Sequence, residues 1–330
     1  MLRLLHFKLS VFFRNMTLTR TLLQRTAQGG KHLIEWLQRE RLLSRKKRCP
    51  VCNNRMKFKR TNTTKDGYRW SCRKANHRGS GITRSIREGS IFSRSHITLA
   101  SWMKIMHSLS QGLRKRQVDM IEDGVCGSSQ SLTRVTTLLR EICGKAVRRL
   151  EIRRKMRIGG RRAFVAIDES KFRHKRKYGR GRRGHTWRRH SWVFGMVEVK
   201  GCHRCPILKL VKNRSRKRLL PIIQKYIRPG SKVISDSWSA YNRLSRHGYI
   251  HYQVNHRRHF VHPGSGAHTQ HIERAWRNYK EDIYRYRGNL TEKALKMNLR
   301  FIEWSHWLGK EHKKGILGCL CKDIRACYHV

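Results

Sequence analysis

Acidic side chains are what this sequence has least of. Its 330 residues include 20 Asp or Glu against 77 Lys or Arg, a formal charge of +57. A charge of that size repels itself in a compact chain and calls for an anionic counterpart. The basic residues run along the whole length rather than gathering in one patch, so nucleic acid is the expected partner, ahead of a membrane surface or a small acidic substrate. Also missing is any apolar run of about 18 residues or more, which excludes a transmembrane helix. No segment reads as a signal peptide, so the ten cysteines are expected as reduced thiols and metal ligands in an intracellular protein. The first acid is Glu35; the acid-free stretch before it, rich in Arg, Leu, Ser and Thr, has the composition of a mitochondrial presequence, although chance also yields such a stretch in so basic a chain.

Apolar residues make up 38%, with nine Trp, ten Tyr and ten Phe. That suffices for folded cores and sets the chain apart from disordered basic tails. At about 150 residues per domain, two domains and a small appended module are expected. Scarcity also makes each carboxylate informative, because few are left over for surface duty.

A basic run, SRKKRCPVC, leads into the pattern C-x2-C-x19-C-x4-H formed by Cys49, Cys52, Cys72 and His77. Zn²⁺ takes four N or S ligands at tetrahedral corners, and two close pairs on either side of a hairpin supply them. Asp66-Gly67 is a hairpin-turn signal between Met56-Lys57-Phe58 and Tyr68-Arg69-Trp70, giving a zinc ribbon. The alternative for His77 is a solvated histidine in a basic loop. Leu99, Trp102, Met103, Ile105, Met106, Leu109 and Leu113 follow helical spacing. A short helix, a Gly-containing turn and a longer helix capped at Ser128 or Ser129 come next, with Leu132, Val135, Leu139, Ile142, Ala146 and Leu150 as the buried stripe. This is either a helix-turn-helix with Arg134 on its DNA-facing side or two packed helices without a groove contact.

Past Gly159-Gly160 the pattern becomes strand-like. Strands are expected at 163–168, 190–200, 205–211, 232–235 and 249–254, with helices at 219–227 and 269–286, and an amphipathic tail follows through Leu295, Leu299, Ile302 and Leu308. In a three-strand meander followed by a crossover, the first and fourth strands are neighbours at the sheet centre. Asp168 and Asp236 then stand at two adjacent strand ends, and Glu273 on the first turn of the last helix comes to the same edge. Three converging carboxylates repel unless divalent cations hold them, and oxygen ligands suit Mg²⁺ or Mn²⁺. Two such ions about 3.5–4 Å apart activate a hydroxyl and stabilise the leaving oxygen of a phosphodiester. Taken singly, Asp168 competes with Glu169, of which strand alternation puts only one on a given face, and Glu273 can instead pair with Arg277 one turn on.

The segments IDESKFRHKRKYGRGRRG, HSWVFGMVE, SDSWSAY and VNHRRHFVHPGSGAHTQHIERAWRNYK resemble the Merlin-type DDE transposases of eukaryotes and their bacterial insertion-sequence relatives. The likeness spans roughly 33–308 and includes the CPxC knuckle and the Gly-Ser-Ile-Phe segment at 89–92. It implies an RNase H-like catalytic core and selects Asp168 over Glu169 as the first ligand. Asp236 and Glu273 are separated by 36 residues, the spacing of that family. The resemblance also places a histidine at His256, a candidate for positioning the scissile phosphate ahead of its neighbours His259, His262, His268 and His271. It implies at least a homodimer, since two DNA ends are synapsed, and a nuclear site of action if the source is eukaryotic.

The expected organisation is thus an α/β protein. Residues 1–45 form a basic helical segment, 46–95 a zinc ribbon, 96–158 the helical region, 159–290 an RNase H-like mixed sheet with flanking helices, and 291–330 a C-terminal helix and Cys-containing tail. The expected activity is cleavage at terminal inverted repeats and transfer of the 3′ ends to double-stranded target DNA. GRGRRG is no Walker loop, lacking GKS or GKT; with its neighbours it offers Lys175, Arg176, Lys177, Arg180, Arg182 and Arg183 to DNA phosphates. Cys202 and Cys205 read as free thiols before a metal half-site, and Cys319, Cys321, Cys327 and His329 suggest a metal tail by count alone. Two rivals stand beside the transposase: a domesticated, non-catalytic zinc- and DNA-binding regulator, and a structural protein of ribosome or chromatin type, which nine Trp and the placed acids disfavour.

Overall fold

The computed structural model describes residues 22, 24–73, 77, 81–112, 120–121, 123–153, 155–172, 191–201, 203–254, 270–285 and 291–330. It is a mixed α/β protein whose chain divides into two compact units, one of residues 1–142 and 308–330, the other of residues 143–307. Among the described residues no helix is long and apolar enough to cross a membrane.

In the first unit, α1 (Gly30–Arg39) buries Leu33, Ile34, Trp36 and Leu37 at helical spacing. Strands β1 (Lys57–Arg60), β2 (Tyr68–Cys72) and β3 (Ile82–Ser85) form an antiparallel meander. The expected hairpin lies where Asp66-Gly67 signalled it, with Gly67 at φ 72° and Phe58 opposite Trp70. Phe58 stacks on Tyr68 with centroids 4.9 Å apart. Asp66 does more than turn the chain: its carboxylate takes two hydrogen bonds from Arg87, at 2.5 and 2.6 Å, and Arg87 also donates to the carbonyls of Ser95 and Ile97. That buried fork fastens the hairpin to the segment holding Ser90, Ile91 and Phe92, all buried. Helix α2 (Leu99–Ser110) starts on Thr98, whose side chain accepts from Ser101 N, and buries the six described residues of its expected stripe. Ser128 caps α3 (Ser129–Ile152) by accepting from Ser131 N. The segment preceding that cap lies largely outside the described residues.

The second unit is built on a five-stranded sheet. β4 (Phe164–Ser170), β5 (Trp192–Lys200) and β6 (His203–Val211) form an antiparallel meander. Helix α4 (Arg216–Tyr226) crosses over to β7 (Lys232–Ser235), and β8 (Ile250–Gln253) completes the order β6-β5-β4-β7-β8. β7 runs parallel to β4 and beside it, so the first and fourth strands are indeed central neighbours. Helices α5 (Gln270–Arg285) and α6 (Glu292–Trp304) cover the sheet. Their Ile272, Trp276, Tyr279, Ile283, Leu295, Leu299 and Ile302 make one core with Ala166, Val193, Val197 and Leu208.

Two expectations need correction. The first strand does not stop at Asp168 but continues to Ser170 in register with β5, because the alternating Glu169 and Ser170 are themselves buried. The amphipathic tail is not one element: Leu295, Leu299 and Ile302 belong to the sheet's core, whereas residues 308–330, including α7 (Gly315–Arg325), cluster with the first unit.

Candidate active site and metal centre

Asp168 sits within β4, directly across from Gly195 of β5. Its Oδ2 accepts from the Trp276 indole N–H at 2.9 Å, and its Oδ1 from the Glu169 backbone N–H at 2.7 Å. Gly195 makes the first bond possible. A Cβ there would stand 2.3 Å from the Trp276 ring, so the indole of α5 crosses the sheet only over a residue without a side chain. Burial above all, with the Asp236 and Glu273 charges adding to it, pushes the Asp168 carboxyl up to about 6, against the pull of its two neutral donors.

Asp236 follows β7 immediately and accepts from Trp238 N at 3.1 Å. Glu273 occupies the first turn of α5, where the helix dipole favours an anion, and is exposed. Three residues on along the same helical face comes Trp276. The chain therefore brings the three acids near enough for Asp236 and Glu273 to disfavour ionisation of Asp168, yet does not gather all their ligand atoms within 4.8 Å of one another. Like charges at a dry strand stay apart without a counter-charge. Oxygen donors only, a raised carboxyl and neutral hydrogen-bond partners are what a hard divalent cation fits.

Glu169 points away from this cluster by strand alternation. It accepts a hydrogen bond from the buried Tyr241 hydroxyl, and burial first, then Asp168 and Asp236, push it up to about 7. Tyr241 ends a short 3-10 turn, Ser239–Tyr241, that Arg216 holds through the carbonyls of Ser239, Ala240 and Asn242. Lys280, one turn beyond Trp276, feels the Asp168 charge but is driven down by burial.

The other centre lies in the first unit. Cys49, Cys52, Cys72 and His77 place their ligand atoms within 4.8 Å of one another, and no other group of three or more His, Cys, Asp or Glu does so among the described residues. His77 Nε2 lies 3.2 Å from Cys72, 3.4 Å from Cys52 and 3.5 Å from Cys49. The knuckle closes through Cys49 N to Asn54 O at 2.9 Å, with Asn53 in the left-handed region at φ 54°. A backbone hydrogen bond from Asn54 leads the forces that hold the Cys52 thiol down at about 6, which favours the thiolate a metal needs. Three sulfurs and an imidazole at this spacing can hold Zn²⁺.

The other expected residues fall as follows. Arg134 is exposed on α3. Lys175, Arg176, Lys177, Arg180, Arg182, Arg183, Cys202, His256, His259, His262 and His268 lie outside the described residues. His271 packs against Phe164 at the start of β4. Cys319 and Cys321 are buried in α7, their thiols pushed up to about 12 chiefly by burial, and with Cys327 and His329 they form no metal-sized group. Helical spacing alone marks Trp276 as apolar-side, with Ile272, Tyr279 and Ile283, and does not reveal it as the donor to Asp168; the lone glycine in the middle of HSWVFGMVE is the available signal.

Residues 158–304, from just before β4 to the end of α6, match the ISXO2-like transposase domain family. Over 95 residues the chain is 26% identical to an uncharacterized transposase-like protein of Haemophilus influenzae, covering 29% of this chain and 75% of that protein. Both similarities support a transposase family.

Proposed function

We propose that the protein is a DDE transposase of Merlin type, cutting DNA at terminal inverted repeats and joining the 3′ hydroxyl ends to target DNA. The observation that carries this reading is Asp168: a carboxyl raised by burial and by Asp236 and Glu273, in a chain with 77 cationic residues, yet hydrogen-bonded to an indole and a backbone amide. The strand order, a meander followed by two parallel strands, supports an RNase H-like core for residues 159–290. Asp168, Asp236 and Glu273 would hold two Mg²⁺ or Mn²⁺ ions. Bound there, such ions activate the attacking hydroxyl and neutralise the leaving oxygen.

The chain's own residues supply position and charge. Trp276 fixes the rotamer of Asp168, Trp238 N that of Asp236, and the start of α5 favours Glu273 as an anion. The basic residues of 175–183, among them Lys175 and Arg183, grip backbone phosphate and His256 positions the scissile group. A zinc ribbon over 46–95 and the helical region of 96–158, with Arg134, read the terminal repeats, phosphate contacts giving affinity and base contacts selecting the site. The working unit is a homodimer on two DNA ends, acting in the nucleus if the source is eukaryotic.

Glu273→Gln tests the reading on DNA bearing the inverted repeats that flank the gene. Strand cleavage in Mg²⁺ falls to background while DNA affinity stays within a few-fold. Retained cleavage by Glu273→Gln overturns the assignment, and a wild-type chain that binds repeats but never excises them points instead to the regulator.

A further inference from the structure

Among the described residues, four large hydrophobic side chains are exposed, and Trp238 is the one aromatic, at 36%. An exposed indole usually swings freely; this one is pinned. Its Nε1 donates to the Arg214 carbonyl at 3.1 Å, and its backbone N–H donates to Asp236 Oδ1 at 3.1 Å. The Arg214 guanidinium lies 4.2 Å from its ring centroid. The same guanidinium lies 4.1 Å from the Trp192 ring, and Lys171 Nζ is 4.5 Å from that ring too. Lys171, Trp192, Arg214 and Trp238 thus alternate cation and aromatic, from the chain just after β4 to a position two residues past Asp236.

Packing does not require this arrangement. A surface tryptophan kept only for stability would be covered, yet this one is over a third open, and the Arg214 guanidinium, while close enough to act on the Glu169 charge, packs between two indoles. A rigid, half-open indole backed by a guanidinium is instead a surface on which a planar, electron-poor heterocycle stacks, and the basic surroundings select a heterocycle attached to phosphates. In the interior of a duplex both faces of every base are already occupied, so a base there must leave the stack to use it.

We propose that Trp238, backed by Arg214 and Trp192, is a stacking platform for one unpaired nucleobase of the DNA strand that enters the carboxylate site. The inference rests on the transposase reading and deepens it by naming the form of DNA at that site: locally unpaired beside the scissile phosphate. Stacking tolerates any base, because each has a π face, so the platform adds affinity for opened DNA without adding sequence preference.

Two measurements on the full zinc-loaded chain, both in buffer without Mg²⁺, Mn²⁺ or chelator so that cleavage is not read, test it. In the first, a duplex with one unpaired 5-iododeoxyuridine is photocrosslinked and the attachment mapped by mass spectrometry. The crosslink is expected on the peptide containing Trp238, and is lost when the same nucleotide is paired. In the second, affinity for oligothymidine is measured at high salt, where phosphate contacts weaken. Trp238→Ala is expected to bind about tenfold more weakly, within the range for removing a base-stacking aromatic. Trp238→Phe keeps most of the affinity, and binding of fully paired duplex changes less than about twofold. A crosslink mapping elsewhere, or equal losses on paired and unpaired DNA, overturns the platform. Failure of the cleavage test with the Trp238 crosslink intact removes the transposase and leaves the platform; the reverse result removes the platform alone.

Discussion

Two groups of buried acids in the second unit show opposite behaviour. On α6, Glu303 is fully buried, accepts from Leu208 N at 2.7 Å and pairs with Arg300 at 2.8 Å and Lys209 at 3.5 Å. Its neighbour Glu151 takes Lys209 at 2.6 Å, Arg300 at 2.8 Å and the Tyr226 hydroxyl at 2.7 Å. Burial works to raise the Glu151 carboxyl, but Arg300 and Lys209 more than reverse it, down to about 2. At Asp168 the burial is deeper and the partners are neutral, so the carboxyl goes up to about 6. The molecule has cations to spare and uses them on one group of acids, while Asp168 is held by an indole and an amide. The acids among cations are neutralised in place, whereas Asp168 is oriented by neutral donors without being neutralised.

The largest way to break that contrast is Glu303→Ala. It leaves Arg300 and Lys209 to share Glu151, one buried positive charge uncompensated, and removes the acceptor for Leu208 N, so chemical denaturation should show a loss of about 3–5 kcal/mol. Asp168→Asn should do the opposite in metal-free buffer, stabilising the fold at neutral pH by up to about 3 kcal/mol, because the variant keeps an acceptor and sheds a disfavoured charge. The pH dependence carries opposite signs for the two sites. Asp168 is raised, so its favourable contribution is complete below about 4 and lost as pH rises through about 6. Glu151 is lowered, so its contribution is complete above its ordinary value of 4.5 and lost as pH falls towards about 2. Unfolding curves of the wild type and of Asp168→Asn between these limits should converge at the acid end; curves that stay parallel would sink the assignment. The smallest effect belongs to Gly195→Ala. The added Cβ collides with Trp276 and should cost about 1–3 kcal/mol, while near-ultraviolet circular dichroism reports the displaced indole.

Much of this was legible in the chain. Strand periodicity and two glycine-rich breaks sufficed to order the elements of the second unit and to make β4 and β7 neighbours, because a meander followed by a crossover leaves few alternatives. The tetrad was legible from spacing, since two ligand pairs across a hairpin can hardly bind metal otherwise. Trp276 was not legible, because helical spacing marks a residue as buried without saying what its one polar atom touches. Likewise Asp66 advertised a turn, but its partner Arg87 lies 21 residues on and leaves no periodic trace. β3 was missed because only Ile82 in it is apolar and no alternation develops. Arg214 carried no signal either; it sits in a loop between two tryptophans that are distant in sequence.

Residues 308–330 return to the first unit, where α7 packs against α2 and Arg325 donates to the Glu40 carbonyl. During synthesis the sheet unit is therefore complete while the unit that began first still lacks its closing helix. Leu99 to Leu109 must wait until residues 308–330 have been made before their cover arrives. The zinc-binding hairpin, closed by contacts within a few dozen residues, has no such delay, so the growing chain carries a finished metal module next to an unfinished helical one until α7 emerges.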